Sequence, residues 1–73
     1  MKLNYYPDTD SLYIDLSERE SVDSREVADG VVLDYDDAGN LVGIDIDHAS
    51  DNVQLGRLVL HGMTGNIERT AAT

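Results

Sequence analysis

The sequence predicts a mainly β domain: two antiparallel hairpins with four-residue loops, forming a curved four- to five-stranded sheet with a short helical turn near residues 49–53. Three observations carry that prediction. Apolar residues alternate with polar ones over the first sixteen positions, the period of a half-buried strand. The same pattern returns thirty residues further on. After Ile46 the alternation stops at Ala49-Ser50-Asp51-Asn52, residues suited to starting a helix.

In the first hairpin, Leu3 and Tyr5 alternate with Lys2, Asn4 and Tyr6, and Leu12, Ile14 and Leu16 alternate with Tyr13 and Asp15. Between them Pro7-Asp8-Thr9-Asp10 is rich in turn formers. A four-residue loop pairs Tyr6 with Ser11, so that Tyr5 faces Leu12 and Leu3 faces Ile14. All the apolar side chains then share one face, and a slip of one residue would mix the two faces.

The second hairpin follows the same grammar. Val31, Leu33 and Tyr35 alternate with Val32, Asp34 and Asp36, and Val42, Ile44 and Ile46 alternate with Leu41, Gly43 and Asp45. A four-residue loop, Asp37-Ala38-Gly39-Asn40, puts Tyr35 across from Val42, Leu33 from Ile44 and Val31 from Ile46. Upstream, the polar connection from Ser17 leads into a third strand beginning at Glu26 to Ala28 and interrupted at Asp29-Gly30, where glycine suits a bulge or a positive φ.

Beyond Ile46 a helical turn near Ala49 to Val53 is expected, followed by a short strand at Leu58 to His61. The alternative is an α+β domain whose C-terminal helix lies on the sheet, since Leu55, Leu58 and Val59 have helical spacing; Gly56 and Gly62 argue against it. The domain is read as residues 1–63, with 64–73 a frayed, small and polar tail.

Composition limits what such a domain can be. A chain of 73 residues without Cys, Phe or Trp has a thin core and no disulfide to support it. With no long apolar run and no basic-then-apolar leader, it reads as a soluble, unprocessed, cytoplasmic protein. Fifteen acidic residues against five basic ones give a net charge of -10, and the scattered cations exclude nucleic acid as a direct partner. The acidity fits a protein adapted to a high-salt cytoplasm, and also a module that docks on a basic protein.

The two hairpins place twelve apolar residues on one face, and the C-terminal segment is a thin cover for them. A homo-oligomer, with a dimer favoured, is therefore expected to use Leu3, Tyr5, Leu12, Ile14, Leu33, Tyr35, Val42 and Ile44 as its interface.

The acidic residues raise the question of metal binding. The segment Asp34 to Asp45 half-matches a calcium loop, with Asp34 at position 1, Asp36 at 3, Gly39 at 6 and Asp45 at 12. Ala38 at position 5, the short Asp45 at 12 and strand-like flanks favour a plain acidic hairpin instead. A divalent-cation site built from Asp34, Asp36, Asp45, Asp47 and His48 is the alternative to a solvated acidic face. No nucleophile with a base, no Gly-rich phosphate loop and no paired-histidine spacing is present, so no enzymatic activity and no cofactor are expected.

Two stretches, "YYPDTDSLYIDL" and "EVADGVVLDYDDAGNLVGIDIDHAS", together resemble the small prokaryotic family called domain of unknown function 2283. The resemblance runs through Asp10, Leu12, Tyr13, Ile14 and Leu16, then Glu26, Gly30, Val31, Asp34, Asp36 and Gly39, and finally Val42 to Ile46, Ala49 and Ser50. It implies a compact β-rich domain without an assigned activity or cofactor. It also implies, by association with neighbouring genes for small ribonuclease-like toxins, an antitoxin-like role as the acidic partner of a basic protein.

Overall fold

The computed structural model describes residues 1–70, and these contain five strands and one helical turn. The strands are β1 (Lys2–Tyr6), β2 (Ser11–Asp15), β3 (Asp23–Ala28), β4 (Val31–Tyr35) and β5 (Leu41–Ile46), followed by α1 (Ala49–Asn52). They form one open antiparallel sheet in the order β1-β2-β5-β4-β3. The fold class expected from the sequence is therefore the one observed.

The sheet's register follows from burial. Tyr6 pairs with Ser11, Tyr5 with Leu12 and Leu3 with Ile14 around the Pro7–Asp10 loop. Leu12 then meets Ile46 and Ile14 meets Ile44 across β2 and β5, while Val31 and Leu33 meet the same two isoleucines from β4. One apolar row thus crosses the inner face as Leu3, Ile14, Ile44 and Leu33, ending on Arg25 of β3. A slip at any junction would carry polar residues into that row.

Three expectations need correction. Tyr35 does not face Val42: it pairs with Leu41, and a bulge follows Asp34, so that Leu41 and Val42 share one partner. The cause is the loop: between the paired Tyr35 and Leu41 it runs from Asp36 to Asn40, five residues instead of four, with a hydrogen bond from the Asp36 amide to the Asn40 carbonyl at 2.9 Å inside it. Of the two roles expected at Asp29-Gly30, the positive φ is observed, with Gly30 at φ 77, but in a tight turn joining β3 to β4; the bulge lies just before it, between Glu26 and Ala28. Finally, Leu58 to His61 forms no strand. Residues 54–70 have no regular structure, and among the described residues none of them hydrogen-bonds to the sheet. The α+β alternative is not formed either, because the helix ends at Asn52. The tail expected to fray, 64–73, lies at 71–73 outside the described residues.

Covering of the inner face is sparse. Leu12, Val42 and Ala49 are the buried apolar residues, and no large side chain is fully enclosed. Leu3 and Tyr5 on β1 remain 47% and 39% exposed although they sit on the apolar face. The segment after α1 approaches this end, where Val53, Gln54, Leu55, Arg57 and Leu58 line a cavity of about 360 Å³ with Leu3, Tyr5 and Leu12.

Candidate functional site

The outer face is organised around a chain of hydrogen bonds that runs across the strands. Tyr13 of β2 extends over β5 and its hydroxyl donates to Asp34 Oδ2 of β4 at 2.9 Å. From β3, the Ser24 hydroxyl donates to Asp34 Oδ1 at 2.7 Å. Residues of three strands are thereby tied to one carboxylate. The crossing needs a gap in the intervening strand, and Gly43 supplies it: a β-carbon there would collide with the Tyr13 hydroxyl and ring. Burial, and then the hydrogen bond to Asp34, push the Tyr13 hydroxyl up to about 12.

Asp45 lies beside this chain, directly between Tyr13 and Val32. Its carboxyl is raised above the ordinary aspartate value, by burial first and then by the negative charges of Asp47 and Asp34. Among the described residues the ion pair formed is Arg19 with Asp36, and Lys2 stands on β1 opposite Asp15.

A second organising carboxylate is Asp10, the last residue of the first loop, held in the left-handed region at φ 52. It accepts from the Ser50 hydroxyl at 2.6 Å, the Ser50 amide at 3.1 Å and the Tyr5 hydroxyl at 2.8 Å, and its own carbonyl accepts from the Ala49 amide at 2.9 Å. The first loop therefore caps α1 from forty residues away. The Ser50 hydroxyl, then the Tyr5 hydroxyl, hold the Asp10 carboxyl below its ordinary value. His48, which precedes α1, adopts φ 50 and makes no side-chain cap of its own.

The residues proposed from sequence as a cation site are separated by these roles. Asp34 is taken up by Tyr13 and Ser24. Asp36 is buried, its carboxylate accepts from the Ala38 and Asn40 amides and the Asn40 side chain, and it forms an ion pair with Arg19 Nε at 3.3 Å. That pattern fixes the β4–β5 loop and, led by the Asn40 amide, holds the Asp36 carboxyl below its ordinary value. Asp45 stays on the outer face, while Asp47 and His48 are exposed in the connection to α1. Among the described residues, no three Asp, Glu or His side chains come together in a way that could hold a metal ion. The structure thus gives Asp34 and Asp36 separate hydrogen-bonding roles, while Asp45 lies near enough to Asp34 and Asp47 to feel their charges.

The residues named from sequence for an interface share the inner face, but unequally. Leu12 and Val42 are buried, Ile14, Leu33, Tyr35 and Ile44 are half-buried, and Leu3 and Tyr5 are exposed. Sequence reasoning gave no role to Ser24 or to the pairing of Asp10 with Ser50. Gly43 in the middle of a strand was the available signal for a close approach.

A family model described as protein of unknown function DUF2283 matches residues 2–50. The chain belongs to the DUF2283 family. No curated protein and no solved structure matches it significantly. The DUF2283 match begins at β1 and ends at Ser50, so it contains all five strands and both partners of the Asp10–Ser50 hydrogen bond. The segment that follows, from Asp51 on, lies outside the match. Among the described residues no helix is long and apolar enough to cross a membrane.

Proposed function

We propose that this DUF2283 protein is a non-enzymatic module that acts by association, its inner sheet face pairing with a second copy of the chain. The observation that carries this reading is uncovered area. The chain exposes 6070 Å², against roughly 4,450 Å² for a compact monomer of its mass. The excess, roughly 1,600 Å², is ample for the ~800 Å² that each partner contributes to a standard interface. The radius of gyration, 13.1 Å, likewise exceeds the roughly 11 Å of a compact chain of this length. A small domain with so thin a core gains the stability it lacks by self-association.

The test is sedimentation of the native protein and of Leu33→Asp, which puts a charge in the middle of the inner face. A dimer that dissociates in the variant supports the reading; an unchanged sedimentation coefficient in the variant rejects it.

A second reading concerns the other face. Asp15, Asp34 and Asp45 lie on the outer side, with few cations near them, and this favours a basic protein as partner. Calorimetric titration with a lysine-rich peptide at low salt tests it; absence of binding rejects it.

A further inference from the structure

We infer that the open half of the inner face is covered by residues 58–67 of a second copy, exchanged reciprocally, instead of by the flat face of that copy. This rests on the self-association reading above and adds which segment makes the contact.

Two sets of apolar side chains are left incompletely covered by the chain itself. The segment presents Leu58, Val59, Leu60, Met63 and Ile67, which are 66%, 49%, 40%, 59% and 79% exposed. They bury little against their own sheet. The sheet presents Leu33, Ile44 and Tyr35 on its β4–β5 half, all only half-buried. A face-to-face dimer would cover the second set and leave the first in water. It would also meet an obstruction, because residues 53–58 already stand along the β1–β2 end as one wall of the 360 Å³ cavity.

Reach and charge agree with exchange. The fourteen steps from Val53 to Ile67 span up to roughly 46 Å when extended, whereas the five strands are only roughly 19 Å across from first to last. The segment can therefore leave its own β1–β2 end and cross a neighbour's sheet. Gly62 at φ 71 and Gly65 at φ 117 allow it to bend on the way. Residues 58–67 carry no Asp, Glu, Lys or Arg, while residues 1–52 carry fourteen carboxylates against Lys2, Arg19 and Arg25. A strap without acidic residues thus adds nothing to the repulsion between two strongly acidic bodies, and high salt weakens that repulsion.

The absence of native cysteine makes the test clean. Leu33→Cys and Met63→Cys are prepared as separate full-length proteins, mixed, and oxidised mildly under conditions where the native chain is dimeric. The expected product is a covalent dimer joining one variant to the other, at least severalfold over Leu33→Cys joined to itself. The companion variant, Leu60→Asp with Met63→Asp, changes only exposed residues and is expected to weaken dimerisation tenfold or more while leaving the β spectrum unchanged. If Leu33→Cys joins chiefly to itself and the double variant dimerises normally, the exchange is overturned and self-association through the sheet stands. If the native chain is a monomer, both are overturned.

Discussion

The Tyr13 hydroxyl reaches across Gly43 to donate a 2.9 Å hydrogen bond to Asp34, joining residues twenty-one positions apart through the gap left by a missing side chain. Gly43→Ala closes that gap. Because the colliding atoms are the end of the Tyr13 side chain, the tyrosine swings away and its bond to Asp34 is lost. The expected cost is about 1–3 kcal/mol in urea unfolding, in the range of hydrogen bonds to charged groups. Tyr13→Phe should cost about 1 kcal/mol in the native background and close to nothing in Gly43→Ala. Additive costs in that cycle would show that the two residues act independently.

The same geometry sets the titration of the tyrosines. Tyr13 is pushed up to about 12, and Tyr5 is raised too by its bond to Asp10. A folded-state value above the unfolded one means that Tyr13 stabilises the fold fully below about pH 10, and that this contribution is lost as pH rises towards 12. Absorbance titration should show a late step that is missing in Tyr13→Phe. A tyrosine spectrum complete by pH 11 would contradict the buried bond.

Asp10 governs the join between the first loop and α1. Its carboxyl is held low by Ser50 and Tyr5, so its contribution is present above the ordinary aspartate value and is lost as pH falls below it. Asp10→Ala removes the cap and puts a β-carbon with no compensating hydrogen bonds at φ 52. Asp10→Asn keeps a side chain that tolerates this backbone and is expected to be milder. The amides of Ala49 and Ser50 should exchange faster in Asp10→Ala than in Asp10→Asn. Equal exchange in the two variants and the native chain would mean that Asp10 does not hold α1.

The parts of the fold that were legible in the sequence are those set by neighbours in the chain. Tyr5 facing Leu12 and Leu33 facing Ile44 follow from alternation and a short loop, and both pairs are observed. Tyr35 was placed opposite the wrong residue because the Asp36 side chain, by accepting the Ala38 and Asn40 amides, enlarges the loop. Alternation carries no information about such side-chain bonds. The Tyr13–Asp34 contact needs β2 beside β5, a pairing between hairpins that local periodicity does not specify. The acidic residues looked like one cluster because they are close in sequence. In space Asp36 turns into its own loop while Asp34 and Asp45 stay outside, and among the described residues no three such side chains are grouped as a metal site would need. At the C-terminal end, Leu58 to Leu60 has the composition of a strand but pairs with neither open edge of the sheet, β1 or β3, and remains irregular.

Net charge makes stability depend on salt. Fifteen carboxylates face five cations, and among the described residues the ion pair formed is Arg19 with Asp36. The Debye length falls from ~10 Å at 0.1 M salt to ~3 Å at 1 M. The melting temperature should therefore rise steeply up to molar salt, as in a protein adapted to high salt. A flat profile would contradict that adaptation.

The central claim is that this open sheet is half of an assembly, and light scattering coupled to size exclusion, at low and molar salt, measures it directly. The account predicts a particle of at least twice 8.0 kDa, more populated at molar salt. A particle of 8.0 kDa at both salt concentrations, with a cooperative melt, would contradict it and leave the exposed Leu3 and Tyr5 and the half-buried Leu33 without a partner of their own kind.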